Sequence, residues 1–232
     1  MKIIISPSKT QNIKASAYLD EKEILFPKQH KKVLAKLRKL KKTDIKQIMK
    51  IDKDLLNQTY QNIKDYNQNP LFKAFFSFDG LVFKGLDKQS YKEDNYQYIE
   101  DNLRILDAFY GILEPGTMIK QYRLDMKMKI GLNLYHHWEL TKYFKDELII
   151  NLASDEFSKL IKSPNMVTIS FLQKKEDKYI NQATYSKQAR GFILDYMIKN
   201  KIVSIKDILR FNKENYKYNQ TLSNERAIVF TR

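Results

Sequence analysis

Four short stretches carry side chains able to do chemistry. In Tyr122-Arg123-Leu124-Asp125 an arginine and an acid lie two apart among apolar and aromatic residues. Two backbone breaks precede them: Gly111, where a helix can close in a left-handed turn, and Pro115-Gly116. A charged pair on a path fixed so closely reads either as a structural salt bridge between a helix and a strand or as part of a site. In the second case the arginine holds an anion and Asp125 serves as a base.

The other three stretches stand at the ends of expected elements. Residues 2–5, Lys-Ile-Ile-Ile, read as a short buried strand that Pro7 terminates. Ser6, Ser8, Lys9 and Thr10 then occupy a strand end, where sheets flanked by helices bind ligands. Lys9 with Ser8 and Thr10 can hold phosphate there. Ser6 and Lys9 also match the serine–lysine spacing of some acylases, but no supporting motif accompanies them. Residues 147–152 read as a second buried strand, followed by Ser154, which is placed to cap a helix running to Ile161. Ser186 is likewise placed to cap a helix that opens Lys187-Gln188-Ala189-Arg190-Gly191. Lys187 and Arg190 share a face of that helix. They sit at its amino end, where exposed N–H groups attract anions and structural cations are poorly placed, so the pair reads as an anion site. Adjacent His136 and His137 point apart and do not naturally chelate one metal; no metal site and no cofactor are expected.

The surrounding elements follow from apolar spacing. Residues 91–110 read as one helix, with Leu103, Ile105, Leu106, Phe109 and Tyr110 on its apolar face. Residues 28–42 form the most basic run. Val33, Leu34, Leu37 and Leu40 make a helical stripe, and Lys31, Lys32, Lys36, Arg38, Lys39, Lys41 and Lys42 fill the rest. That helix reads either as a phosphate-tracking surface or as a solvated one. Further helices are expected at 45–49, 53–66 and 204–211. A loop is expected at 11–27, strands at 166–171, 179–184 and 226–230, and a basic hairpin or loop at 126–131. The aromatic stretch at 71–86 reads as core rather than as a platform for stacked bases.

Composition bounds the class. The chain of 232 residues is 43% hydrophobic, has no linker-like stretch, and reads as one domain over 1–232. With no cysteine there are no disulfides, thiolate metal sites or cysteine nucleophile. The amino terminus is too short in apolar residues for a signal peptide, and no run approaches the roughly 18 residues of a spanning helix. A cytoplasmic protein with no membrane partner is expected. The formal net charge of +15 points to polyanionic partners, although an AT-rich genome also inflates lysine.

Several segments, taken together and in order, resemble the YaaA family, bacterial proteins linked to peroxide stress. They are Ile5 to Thr10, Asp79 to Leu86, Leu103 to Met126, Asn133-Leu134-Tyr135 with Trp138, Asn151 to Phe157, Ile169-Ser170-Phe171, Lys187 to Gly191, and Phe230 with Arg232. The chain departs from the family pattern at Glu139, where glycine is common, and at Asp125, where glutamate is common. The resemblance implies a single α/β domain of unusual mixed fold, with a central mixed sheet flanked by helices and a basic cleft. It implies binding to DNA, including branched or distorted duplexes, protection of DNA from oxidative damage, and lower free intracellular iron during peroxide stress. A helix-hairpin-helix-like element goes with that DNA binding, and Leu113-Glu114-Pro115-Gly116 is similar to its hairpin.

The reading favoured on these grounds is a DNA-binding stress protein that is not an enzyme. Lys9, Thr10, Arg123, Lys187 and Arg190 would contact phosphate, with Lys32, Lys36 and Lys39 extending the surface. The rival is an enzyme acting on a nucleotide or nucleic acid, with Asp125, Lys9 and Ser154 as its reacting groups. Direct iron handling is disfavoured, because there are three histidines, no cysteine and no pair of Glu-x-x-His motifs.

Overall fold

The computed structural model describes residues 1–12 and 16–232. Positions 13–15, part of the loop expected at 11–27, lie outside them. The first strand, β1 (Lys2–Ile5), buries Ile3, Ile4 and Ile5 completely. An apolar run without alternation is what a strand covered on both faces requires. Helices α1 (Pro27–Lys39), α2 (Lys42–Met49) and α3 (Lys53–Lys64) follow. A two-residue strand β2 (Phe72–Lys73), short helices α4 (Ala74–Ser77) and α5 (Leu81–Lys84), and α6 (Glu93–Asn102) come next.

The helix expected over 91–110 stops at Asn102. Leu103–Asp107 is instead a strand, β3, with all five residues buried. A short apolar run covered on both faces fits either period, and the sheet decides between them. Gly111 does adopt positive φ (+85°), but it opens β4 (Gly111–Leu113), antiparallel to β3, rather than closing a helix. Pro115-Gly116 forms a turn between β4 and β5 (Met118–Ile119). It is flanked by strands, so this segment is not a helix-hairpin-helix.

The second half adds α7 (Leu134–His137), α8 (Thr141–Phe144), β6 (Ile149–Asn151) and α9 (Asp155–Ser158). It continues with β7 (Met166–Lys175), β8 (Lys178–Ile180), α10 (Ala183–Asn200), α11 (Ile205–Ile208), β9 (Lys217–Tyr218) and β10 (Ala227–Thr231). Thr184, expected in a strand, lies in the first turn of α10.

The large mixed sheet runs β4-β3-β1-β6-β7-β10-β9, with β8 paired to β7. Its centre, β3-β1-β6-β7-β10, is parallel, and the outer pairings β3–β4, β7–β8 and β10–β9 are antiparallel. Helix α6 packs on β1 and β3, and α10 packs on β7. The protein is therefore a mixed α/β domain, as expected. The chain leaves β1 toward β3 on one side and leaves β6 toward β7 on the other. The strand order thus reverses between β1 and β6, and a crevice opens beyond the carboxyl ends of strands at such a switch point.

Candidate phosphate-binding cleft at the strand switch point

A cleft of about 380 Å³ occupies this position. Its floor is the pair of strand ends. Ser6, just after β1, accepts the backbone N–H of Ser154, just after β6, at 2.9 Å, and the two hydroxyls lie 3.2 Å apart. Ser154 stands at the amino end of α9, yet its side chain makes no capping bond there. The adjacent strand end claims it instead, which corrects the expected cap.

Two loops and a helix build the walls. The segment after β1 is tied to the aromatic stretch: Asp79 N–H donates to the Thr10 carbonyl at 3.0 Å, and Asn12 N–H to the Ser77 carbonyl at 2.9 Å. Gln11 Oε1 accepts Tyr122 N–H at 3.0 Å, which attaches the Tyr122–Asp125 segment. Gly80 lies so close to Ser8 that an added Cβ would come within 2.5 Å of its hydroxyl. The third wall is α10. It crosses α5 where Gly191 meets Gly85, and a Cβ on Gly85 would lie 2.9 Å from the Gly191 backbone. This close crossing sets Lys187 and Arg190 beside Leu81 and Val82 in the cleft.

Lys9, Arg123, Asp125, Ser154, Lys187 and Arg190 all line this one cleft, together with Glu156. Their company is not the one that spacing suggested. Asp125 pairs with Lys9 at 2.6 Å, not with Arg123. None of the ion pairs among the described residues involves Arg123, Lys187 or Arg190. The Nε atoms of Arg123 and Arg190 and Oε1 of Glu156 are buried without a hydrogen-bond partner. Burial lowers the pKa of the Arg190 guanidinium, against the opposing field of Asp155.

Helix α10 begins at Ala183, so Lys187 and Arg190 lie beyond its first turn and the free N–H groups are not theirs. Ser186 is buried inside that turn, donating to the Phe171 carbonyl at 3.0 Å and to Asn181 Oδ1 at 2.6 Å. The pair expected at a helix amino end therefore lies on a helix side. Thr10 lies outside the cleft and accepts through its backbone. Lys32, Lys36 and Lys39 ride on α1, whose buried stripe of Val33, Leu34 and Leu37 faces the core, and they do not line the cleft.

One element of the site had no signal in sequence. Asp107, at the end of β3, is fully buried. Its Oδ1 accepts the N–H groups of Phe109 (2.7 Å) and Tyr110 (2.9 Å), and its Oδ2 accepts the hydroxyl of Tyr122, a cleft residue. Burial pushes the carboxyl up to about 6, against the hydrogen bonds, which favour the ionised form. Behind it, Tyr110, Tyr66 and His30 form a chain of hydrogen bonds at 2.9 and 3.0 Å, ending on the Phe109 carbonyl. Among the described residues, no group of three or more His, Cys, Asp or Glu side chains is placed to hold a metal ion. No helix there is long and apolar enough to cross a membrane.

Fold and cleft together define a wound α/β protein with a cationic crevice at the switch point of its sheet. The family model of the peroxide stress protein YaaA matches residues 1–222, and the chain belongs to that family. A UPF0246 protein of Fusobacterium nucleatum is 36% identical over 245 residues, covering 100% of this chain and 99% of its own length. A UPF0246 protein of Francisella philomiragia is 32% identical over 254 residues, with complete coverage of both. One from Lachnoclostridium phytofermentans is 33% identical, covering 99% of this chain and 96% of its own. Family membership supports a role in the response to oxidative stress.

Proposed function

We propose that this peroxide-stress protein binds DNA in the cytoplasm through the sugar–phosphate backbone and the shape of branched or distorted duplexes. The observation that carries the reading is the meeting of Lys9, Arg123, Lys187 and Arg190 in one cleft, with the last three in none of the ion pairs among the described residues. Contacts to phosphate fix position without reading bases. Shielding DNA in this way limits oxidative damage, and the effect on free iron is indirect. The lysines of α1 add a diffuse attraction outside the cleft.

The test is binding of the purified protein to duplex, four-way-junction and single-stranded DNA across a salt series. An Arg123→Ala, Lys187→Ala double variant is expected to lose about two orders of magnitude in affinity and to show a shallower salt slope. Binding equal to wild type would transfer the DNA contact to α1.

A second reading is an enzyme acting on a nucleotide or nucleic acid. The 2.6 Å Lys9–Asp125 pair and the Ser6–Ser154 hydroxyl pair, both on the cleft, favour it, because backbone binding needs neither. Asp125 would act as base toward a substrate held by the cations. Full function in a folded Asp125→Ala protein would remove that role.

A further inference from the structure

The cleft carries more positive charge than it neutralises, and the surplus sits on side chains with nothing else to bind. Four cationic side chains and two carboxylates line it, leaving two positive charges uncompensated. Lys9 and Asp125 offset each other, so the surplus belongs to Arg123, Lys187 and Arg190 against Glu156. Four other arginines are engaged, Arg104 with Glu114, Arg210 with Asp207, Arg38 with Asn67 and Arg232 with Gln173, while Arg226 is exposed. Only one residue outside the cleft has buried side-chain atoms lacking a hydrogen bond among the described residues. It is Glu100, whose carboxylate is ion-paired to Lys22. Buried polar atoms left unmade are costly, so three such residues around one cavity mark side chains that the fold itself does not satisfy.

We propose that the tightest ligand of the cleft is the phosphomonoester of a single nucleotide, free or at the end of a nucleic-acid strand, held more strongly there than the internal phosphodiesters of a DNA backbone. This rests on reading the cleft as a phosphate site. A phosphomonoester carries about 1.5 to 2 negative charges near neutral pH, which matches the uncompensated surplus better than the single charge of a diester. Arg123 and Arg190 come from different elements and present planar forks of N–H donors suited to phosphate oxygens. Glu156 acts in the opposite sense. Its carboxylate repels phosphate and accepts an N–H or O–H from the sugar or base, which orients the ligand. Leu81, Val82 and Phe157 supply apolar surface for the remainder. The volume of about 380 Å³ suits one nucleotide and falls within the roughly 300–1,000 Å³ of small-ligand sites.

The test titrates the full chain with a nucleoside 5′-monophosphate, the matching nucleoside and inorganic phosphate. It also compares 5′-phosphorylated and 5′-hydroxyl forms of one single-stranded oligonucleotide. The monophosphate is expected to bind at least about tenfold more tightly than the nucleoside, and Arg123→Gln or Arg190→Gln to remove that advantage. Glu156→Ala should weaken the monophosphate without weakening inorganic phosphate. Thermal transitions are recorded for every variant. Exposed Lys187→Gln, which threatens no packing, should weaken the monophosphate about threefold. Preference for the phosphorylated end assigns the ligand to strand ends. Tight monophosphate binding without end preference assigns it to free nucleotides, and either result upholds the proposal. Equal affinity for nucleoside and monophosphate overturns it. So does oligonucleotide binding that needs Arg123 and Arg190 but ignores both the end phosphate and competing monophosphate, although that outcome leaves backbone binding standing. No binding of any phosphate compound by folded wild-type protein removes both.

Discussion

Two groups of buried charge lie in this molecule and are treated in opposite ways. At the β3–β4 edge, Arg104 is almost wholly buried and fully engaged. Its Nη2 pairs with Glu114 at 3.1 Å, its Nε donates to Tyr143 Oη at 2.7 Å, and its Nη1 donates to the carbonyls of Glu100 and Leu103 at 2.9 and 2.7 Å. Lys22 bridges Glu100 and Glu114 beside it. At the switch point, Arg123 and Arg190 have buried Nε atoms without a hydrogen-bond partner and form none of the ion pairs among the described residues. The first group spends its charge on holding the fold together. The second keeps its charge unspent in a cavity. Buried charge is therefore not by itself a mark of function here; what distinguishes the site is charge left incomplete.

The largest break in this comparison comes from Arg104→Ala. It removes a buried guanidinium with all its partners, leaving Glu114 only the longer contact to Lys22, and is expected to cost about 3 kcal/mol of stability, read by chemical denaturation. A loss near zero would mean the network is ornamental and the contrast false.

Asp107 tests an intermediate case, a buried carboxylate satisfied by hydrogen bonds but by no cation. Its pKa is raised on folding to about 6, so its contribution to stability is fully present below about pH 4 and is lost as pH rises through about 6. The stability difference between wild type and Asp107→Asn should therefore shift against wild type by on the order of 3 kcal/mol across that window. His30, whose pKa burial lowers, acts in the other direction, losing stability as pH falls below about 6.5. It is present in both proteins and drops out of the difference. Parallel pH profiles would show that Asp107 is not held uncompensated.

The smallest effect is the most telling in sign. Arg190→Met removes a part-buried guanidinium whose Nε is unpartnered, so it should raise stability by about 1 kcal/mol while weakening binding at the cleft. A clear loss of stability would place Arg190 with Arg104 as a structural residue.

Much of the site was legible because chemistry-bearing residues followed recognisable strand ends. Ser6 to Lys9 after one apolar run and Ser154 after another needed only the rule that ligands gather at the carboxyl ends of parallel strands. The segment at 103–110 was misread because its apolar residues satisfy helical spacing, while burial on both faces of a sheet abolishes alternation. Ser154 and Ser186 look alike in sequence, as hydroxyls before a helix, yet one is claimed by Ser6 and the other lies inside a helix turn against Phe171.

The sequence by itself determined the mixed α/β class, the strongly basic charge, the family, and the residue types available for phosphate. Apolar runs, turn residues and composition are local quantities, and they act before the chain folds. Only the tertiary structure decided that β1 and β6 lie side by side and that Gly85 and Gly191 let α5 and α10 touch. It also decided that Lys9 takes Asp125 and thereby leaves Arg123 and Arg190 without a carboxylate. Pairing of charges depends on distances between segments far apart in the chain, and those distances exist only once the sheet has set its strand order.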